Sequence, residues 1–219
     1  MSSVWQQLNE EMAAAVENVR RSLVQITNGG GGAGAGTIWH ADGLIITNHH
    51  VIGGWSSLKV TLPDKRSLPA RLLASDPTYD LAALAVEANN LPTIALGNSK
   101  QLQAGHWVLA LGHPWGVVGA VTAGVVIDIG LAPEIPPARG ELIQVGLHLR
   151  PGHSGGPLVD VQGRLVGINT MIAGPEVGLA IPIYVVKDFL RRHLGSKTTP
   201  RQEPLTNSLE FASRKALPT

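Results

Sequence analysis

Three residue types in this chain have the chemistry of a nucleophile and its base. Ser154 lies in PGHSGGPL, residues 151–158, with Gly152 before it and Gly155 and Gly156 after it. Glycine has no Cβ, so such a turn leaves the hydroxyl open to the backbone of another molecule. A serine hydroxyl is a weak nucleophile on its own and needs a neighbouring base, with donors aimed at the oxyanion that develops. The candidate bases are His49 and His50 in TNHHVIGG, placed where the apolar run 44–46 ends. Asp80, in PTYDLAALAV, stands just before a second apolar run and is the kind of group that orients an imidazole. The chain order histidine, aspartate, serine is one of three unrelated orders in which a Ser-His-Asp triad occurs.

Strands must carry these groups. GTIWHADGLIITN, residues 36–48, reads as two strands joined at Asp42-Gly43, a favoured hairpin turn. GPLVDVQGRLVGIN, residues 156–169, reads as a second hairpin turning at Gly163. Gly36 and Gly156 each lie seven residues before the turn glycine, and Asn48 and Asn169 close the second strands. An internal duplication into two similar β-halves would produce this correspondence. Further strands are expected at 22–27, 58–62, 68–73, 81–86, 107–111, 120–129, 142–145 and 178–181. On a strand, His49 and His50 would point to opposite faces. Helical spacing occurs in Val4, Leu8, Met12, Val16 and Val19, behind a Ser3/Gln6 capping box, and again in 184–194, where Val185, Phe189 and Leu190 share a face.

Composition agrees with an all-β domain. The 219 residues are 44% hydrophobic and 15% charged, enough for a sizeable core. Glycine and proline together make 41 residues, about 19% against roughly 12% on average, which means many turns. A net charge of +1 excludes an electrostatic case for nucleic acid or membrane binding. No cysteine is present, which removes disulfides, cysteine-based zinc sites and thiol catalysis. None of the eight histidines forms a metalloprotease pattern, so neither a metal nor another cofactor is expected. The start MSSVWQQLNEEM carries acids where a secretory leader carries lysines and an apolar run, so a cytoplasmic chain is expected unless a leader was removed.

Taken together, GAGTIW, DGLIITNHHVI, DPTYDLAALAV, ALGNSKQLQAGHWVLALGHPWG, TAGVV, RPGHSGGPLVDVQGRLVGINT and GLAIPI resemble, in order, the protease domain of the HtrA/Deg family of trypsin-like serine proteases. The resemblance covers roughly residues 22–194. It implies two six-stranded antiparallel barrels of the chymotrypsin/trypsin-like fold, flanked by an N-terminal helix and a short C-terminal helix. The organisation expected is a helix at 1–21, a protease domain at 22–195 divided near 95–105, and a polar tail at 196–219. The family's threonine-asparagine-x-histidine-valine motif selects His50 over His49, giving a triad of His50, Asp80 and Ser154. The N–H groups of Gly152 and Ser154 would form the oxyanion hole, with that of His153 between them. His148 would lie near the floor of the specificity pocket, and Ile168, Asn169, Thr170 and Leu179 would form its walls.

The function implied is a serine endopeptidase acting on unfolded polypeptides, possible as a homotrimer assembled through the N-terminal region with Trp5. The chain departs from the family at His153, where asparagine is usual, and at Gly146, Leu147 and Arg150 in the preceding loop. The family's C-terminal PDZ domain has no counterpart in these residues. Two rival readings are an esterase, since GHSGG also fits the nucleophile elbow, and a non-proteolytic trypsin-like scaffold that binds peptides or partners. The elbow needs a helix after the serine and a histidine downstream, whereas a strand pattern follows Ser154 and only His193 lies beyond it.

Overall fold

The computed structural model describes residues 3–28, 33–53, 57–133, 135–174 and 176–195. Residues 29–32 of the glycine run and the tail 196–219 lie outside them. Helix α1 (Val4–Arg20) starts where Ser3 Oγ accepts the Gln6 N–H at 3.2 Å. Its Met12, Val16 and Val19 pack against the core.

Six strands then close a first barrel: β1 (Leu23–Asn28), β2 (Ala33–His40), β3 (Leu44–Thr47), β4 (Leu58–Thr61), β5 (Ser67–Asp76) and β6 (Leu81–Val86). Six more close a second: β7 (Trp107–Gly112), β8 (Ala120–Gly130), β9 (Leu142–Gly146), β10 (Pro157–Asp160), β11 (Leu165–Ile172) and β12 (Val177–Pro182). All the pairings are antiparallel, and helix α3 (Ile183–Leu194) follows β12.

The apolar runs that carry the site are buried on both faces, which is why they read as continuous rather than alternating. In β3, Ile45 fills the first barrel while Leu44 and Ile46 face the layer between the barrels. In β6, Ala82, Leu84 and Val86 point inward and Leu81 and Ala83 outward into that layer. In β7, Val108 and Ala110 fill the second barrel, and Leu109 and Leu111 join the shared layer. A slip of one residue in any of these strands would exchange its two faces.

Each barrel has its strands in the order first, second, third, sixth, fifth, fourth around the closed sheet. The two halves are therefore alike, but not through the two hairpins that suggested it. Residues 36–48 supply the second and third strands of their barrel, whereas 156–169 supply the fourth and fifth of theirs. The shared spacing is coincidental at its ends: Asn48 caps the helical turn at 49–52, whereas Asn169 Nδ2 bonds the carbonyls of Leu111 and Pro157.

Candidate active site

Strand register brings the imidazole to the carboxylate. Thr47 pairs with Ala82, and two residues further along the same antiparallel ladder His49 comes level with Asp80. The chain does not stay extended there. Asn48 caps a one-turn helix α2 (His49–Ile52), so His49 and His50 are not on opposite faces of a strand as expected. The turn of helix swings His50 over Asp80, whereas His49 Nδ1 bonds Ser75 Oγ at 2.6 Å.

Asp80 is held on all three of its oxygens. His50 Nδ1 lies 2.8 Å from its Oδ2, the His50 N–H donates to Oδ1 at 3.0 Å, and Thr170 Oγ1 donates to Oδ2 at 2.5 Å. Its carbonyl accepts Asn48 Nδ2 at 3.0 Å and the His49 N–H at 3.1 Å. Asp80 takes a left-handed φ of 55°, a strained state for a non-glycine residue that these bonds stabilise. Its side chain is 3% exposed, against 46% for His50. Burial by itself pushes the Asp80 carboxyl up, but the hydrogen bonds from His50 and Thr170 outweigh it and hold the group below its ordinary value. A charged Asp80 accepting from Nδ1 leaves His50 Nε2 as the acceptor nitrogen, facing away from the carboxylate.

Ser154 belongs to the turn between β9 and β10, and that turn is stitched across both barrels. Ala35 N–H donates to the Ser154 carbonyl at 2.8 Å, and Gly155 N–H donates to the Asn169 carbonyl at 2.9 Å. Gly155 needs to be glycine: its φ is +83°, and a Cβ would lie 2.1 Å from the Ala35 carbonyl oxygen. The Ser154 hydroxyl donates to the Thr170 carbonyl at 3.0 Å.

The preceding residues form a type II turn. His153 N–H donates to the Arg150 carbonyl at 2.9 Å, Pro151 occupies the first central position, and Gly152 the second with φ +104°. This closure uses the His153 N–H, so it is not the middle donor of the expected oxyanion hole. The N–H groups of Gly152 and Ser154, on either side, have no hydrogen-bond partner among the described residues.

The structure separates the other expected residues. Ile168, Asn169, Thr170 and Leu179 are all buried, on β11 and β12. Asn169 is a strut, with Nδ2 donating to the carbonyls of Leu111 and Pro157 at 3.2 and 3.1 Å. His148 departs from its expected place: it is exposed, while Leu147 and Leu149 beside it are buried against Gly178. Apolar flanks claim the interior in preference to an imidazole. His193, on which the esterase reading would depend, sits in α3 with its ring 4.9 Å from that of Phe189.

Two contributors carry no signal in the sequence. Thr170 was expected as a pocket wall, yet its hydroxyl serves Asp80 and its carbonyl serves Ser154. Arg139, in the connection between β8 and β9, brings Nη1 to 3.9 Å from Asp80 Oδ2. Only the folded connection reveals either contact.

Comparison with known proteins agrees with this geometry. The family described as trypsin-like peptidase domain matches residues 34–168, and the chain belongs to it. Within that family its relatives are of the HtrA/Deg type. It is 39% identical over 162 residues to a putative serine protease HhoB of Synechocystis sp., covering 72% of this chain and 39% of the relative. It is 43% identical over 173 residues to a probable periplasmic serine endoprotease DegP-like of Pseudomonas fulva, covering 73% and 36%. Among solved structures, the HtrA-type protease AlgW with tripeptide superimposes with a TM-score of 0.78 at 34% identity, covering 82% of this chain and 62% of that one. The chain thus spans well under half the length of these curated relatives. The cytoplasmic expectation is corrected by the relatives named as periplasmic, which point to an exported location. A leader is removed from a mature chain, so acidic first residues carry no information about export.

Proposed function

We propose that this chain is the protease domain of an HtrA/Deg-type serine endopeptidase, cleaving unfolded polypeptides with His50, Asp80 and Ser154 as its triad. The observation that carries the reading is the 2.8 Å bond between His50 Nδ1 and buried Asp80, which leaves Nε2 free to act as a base. In the reaction, Ser154 Oγ turns from the Thr170 carbonyl towards Nε2, gives up its proton there and attacks the scissile carbonyl. Asp80 keeps the imidazole in the required tautomer and stabilises the imidazolium. The returning proton goes to the leaving amine, and water then releases the acyl group by the same path. The unpartnered N–H groups of Gly152 and Ser154 support a role as oxyanion donors, each worth about 3 kcal/mol of transition-state stabilisation. The buried Ile168 and Leu179 beside Thr170 favour an apolar specificity pocket.

The alternative, a trypsin-like scaffold that is inactive at rest, is favoured by one observation: the Ser154 hydroxyl is engaged by Thr170 rather than by His50. Casein digestion by the wild type and Ser154→Ala, with fluorophosphonate labelling of both, separates the two. Wild-type cleavage, lost in the variant, and a label on Ser154 support the protease; inertness of both with Ser154 unlabelled rejects it. We further propose a homotrimer through the N-terminal region, supported by the 82% and 75% exposure of Val4 and Trp5 on α1. Light scattering at micromolar concentration should give three times the chain mass, and a monomer would end the idea.

A further inference from the structure

We infer that His153 is a positioning residue of the oxyanion turn, holding residues 150–154 in shape only while its imidazole is neutral. The inference rests on the protease reading above. His153 engages both backbone groups of Arg150: its N–H donates to the Arg150 carbonyl at 2.9 Å, and its Nδ1 accepts the Arg150 N–H at 3.1 Å. One residue therefore pins the start of the turn whose later N–H groups face the substrate carbonyl. Because Nδ1 is the acceptor, the proton of the neutral ring is on Nε2, which is buried with no hydrogen-bond partner among the described residues.

A second histidine backs the same turn from the connection between β7 and β8. His113 N–H donates to the Gly152 carbonyl at 2.8 Å, and its Nδ1 accepts the Gly119 N–H at 3.2 Å. Its Nε2 is likewise buried, and the Val24 backbone supplies the ring with a further hydrogen bond. Both imidazoles are 6% exposed or less.

Protonation would undo this arrangement. A proton on Nδ1 of His153 faces the Arg150 N–H, donor against donor. The Arg150 carbonyl, 3.2 Å from Nδ1, has a second lone pair and can accept that proton beside the N–H that closes the turn, but the ring then gives up its hold on the Arg150 N–H. The titratable groups that face His153 are Arg150, on its own turn, and His113 behind it. The backbone of the turn around His153 packs against Ala35, Leu111, Gly112 and Asn169, none of them charged. Burial holds His153 below its ordinary value, against the opposing pull of its hydrogen bond to the Arg150 backbone and with the Arg150 charge adding to it; burial does the same to His113, against a backbone hydrogen bond to Val24 and with the His153 charge adding. The turn is therefore intact at neutral pH and released in acid. Release of the turn should therefore add one protonation, at His153, to whatever else stops catalysis in acid.

The test is the pH profile of kcat/KM on a peptide substrate for the wild type, His153→Asn and His153→Ala, each normalised to its own plateau. Asparagine offers an acceptor oxygen that does not titrate. The acid limb of the wild type should be steeper than that of His153→Asn by about tenfold per pH unit, the difference of a single protonation. His153→Ala should lower kcat with KM unchanged, and His153→Asn should recover part of that kcat. Identical acid limbs in the wild type and His153→Asn would overturn the inference. If His153→Ala does not fold, the comparison with asparagine decides alone. Absence of Ser154-dependent hydrolysis at every pH is a different failure: it defeats the protease reading itself and takes this inference with it.

Discussion

Thr170 connects two groups that the reaction uses in different ways, since its hydroxyl donates to Asp80 Oδ2 and its carbonyl accepts from Ser154 Oγ. Thr170→Val keeps the shape and removes the donor to the carboxylate. A hydrogen bond to a charged group is worth about 1.5–3 kcal/mol. We therefore expect kcat to fall on the order of tenfold or more with KM unchanged, read by steady-state kinetics. Asp80→Asn is the harsher change: it leaves His50 in the wrong tautomer and should cost about 10⁴ in kcat. Arg139 Nη1, 3.9 Å from Asp80 Oδ2, acts in the same sense as Thr170, favouring the charged carboxylate.

At the scale of elements, glycine decides how closely the two barrels approach. Gly155→Ala would set a Cβ 2.1 Å from the Ala35 carbonyl oxygen and 2.2 Å from Thr47 Oγ1, at a φ of +83°. One contact is backbone and the other a buried hydroxyl that donates to Ala35 at 2.7 Å, so neither can yield cheaply. The variant should lose activity and several degrees of melting temperature together, measured by calorimetry. Gly105→Ala, with nothing within 4 Å of its Cβ but a φ of +89°, should cost some melting temperature through its backbone alone and leave activity intact. The strands were legible in the sequence because β3, β6 and β7 are apolar on both faces and bounded by turn residues. The nucleophile turn was legible for the same reason: only glycine tolerates the crowding at 155. The one-turn helix α2 was not, because four residues are too few for a periodicity to register. Nor was the exposure of His148, which depends on whether Leu147 and Leu149 on either side win the interior.

For the whole molecule, the buried histidines set a direction for acid stability. His113 and His153 are held below their ordinary value when folded, whereas in the unfolded chain they protonate near 6.5. The unfolded state therefore binds more protons below that pH, and stability, full above it, is lost as the pH falls, by up to about 1.4 kcal/mol per pH unit for each histidine. Asp80 adds a later loss: its lowered carboxyl contributes stability above the ordinary carboxylate value and loses it as the pH falls through the folded one. Thermal melts from pH 7.5 to 5 should show the histidine phase, and the double variant His113→Asn/His153→Asn should flatten it. An equal slope in the two proteins would reject this assignment.

The bond from Ala35 N–H to the Ser154 carbonyl has a consequence for biosynthesis. The proposed base and carboxylate lie within residues 33–86 of the first barrel and the serine turn in the second, residues 107–182, so a chain folded only as far as the first barrel lacks the proposed nucleophile. The serine turn takes its shape only when the later barrel docks on the earlier one, through Ala35 and the crowded Gly155. If His50, Asp80 and Ser154 are the triad as proposed, a half-folded chain has no means of cleaving its neighbours, and docking of the two barrels couples hydrolysis to completion of the whole domain.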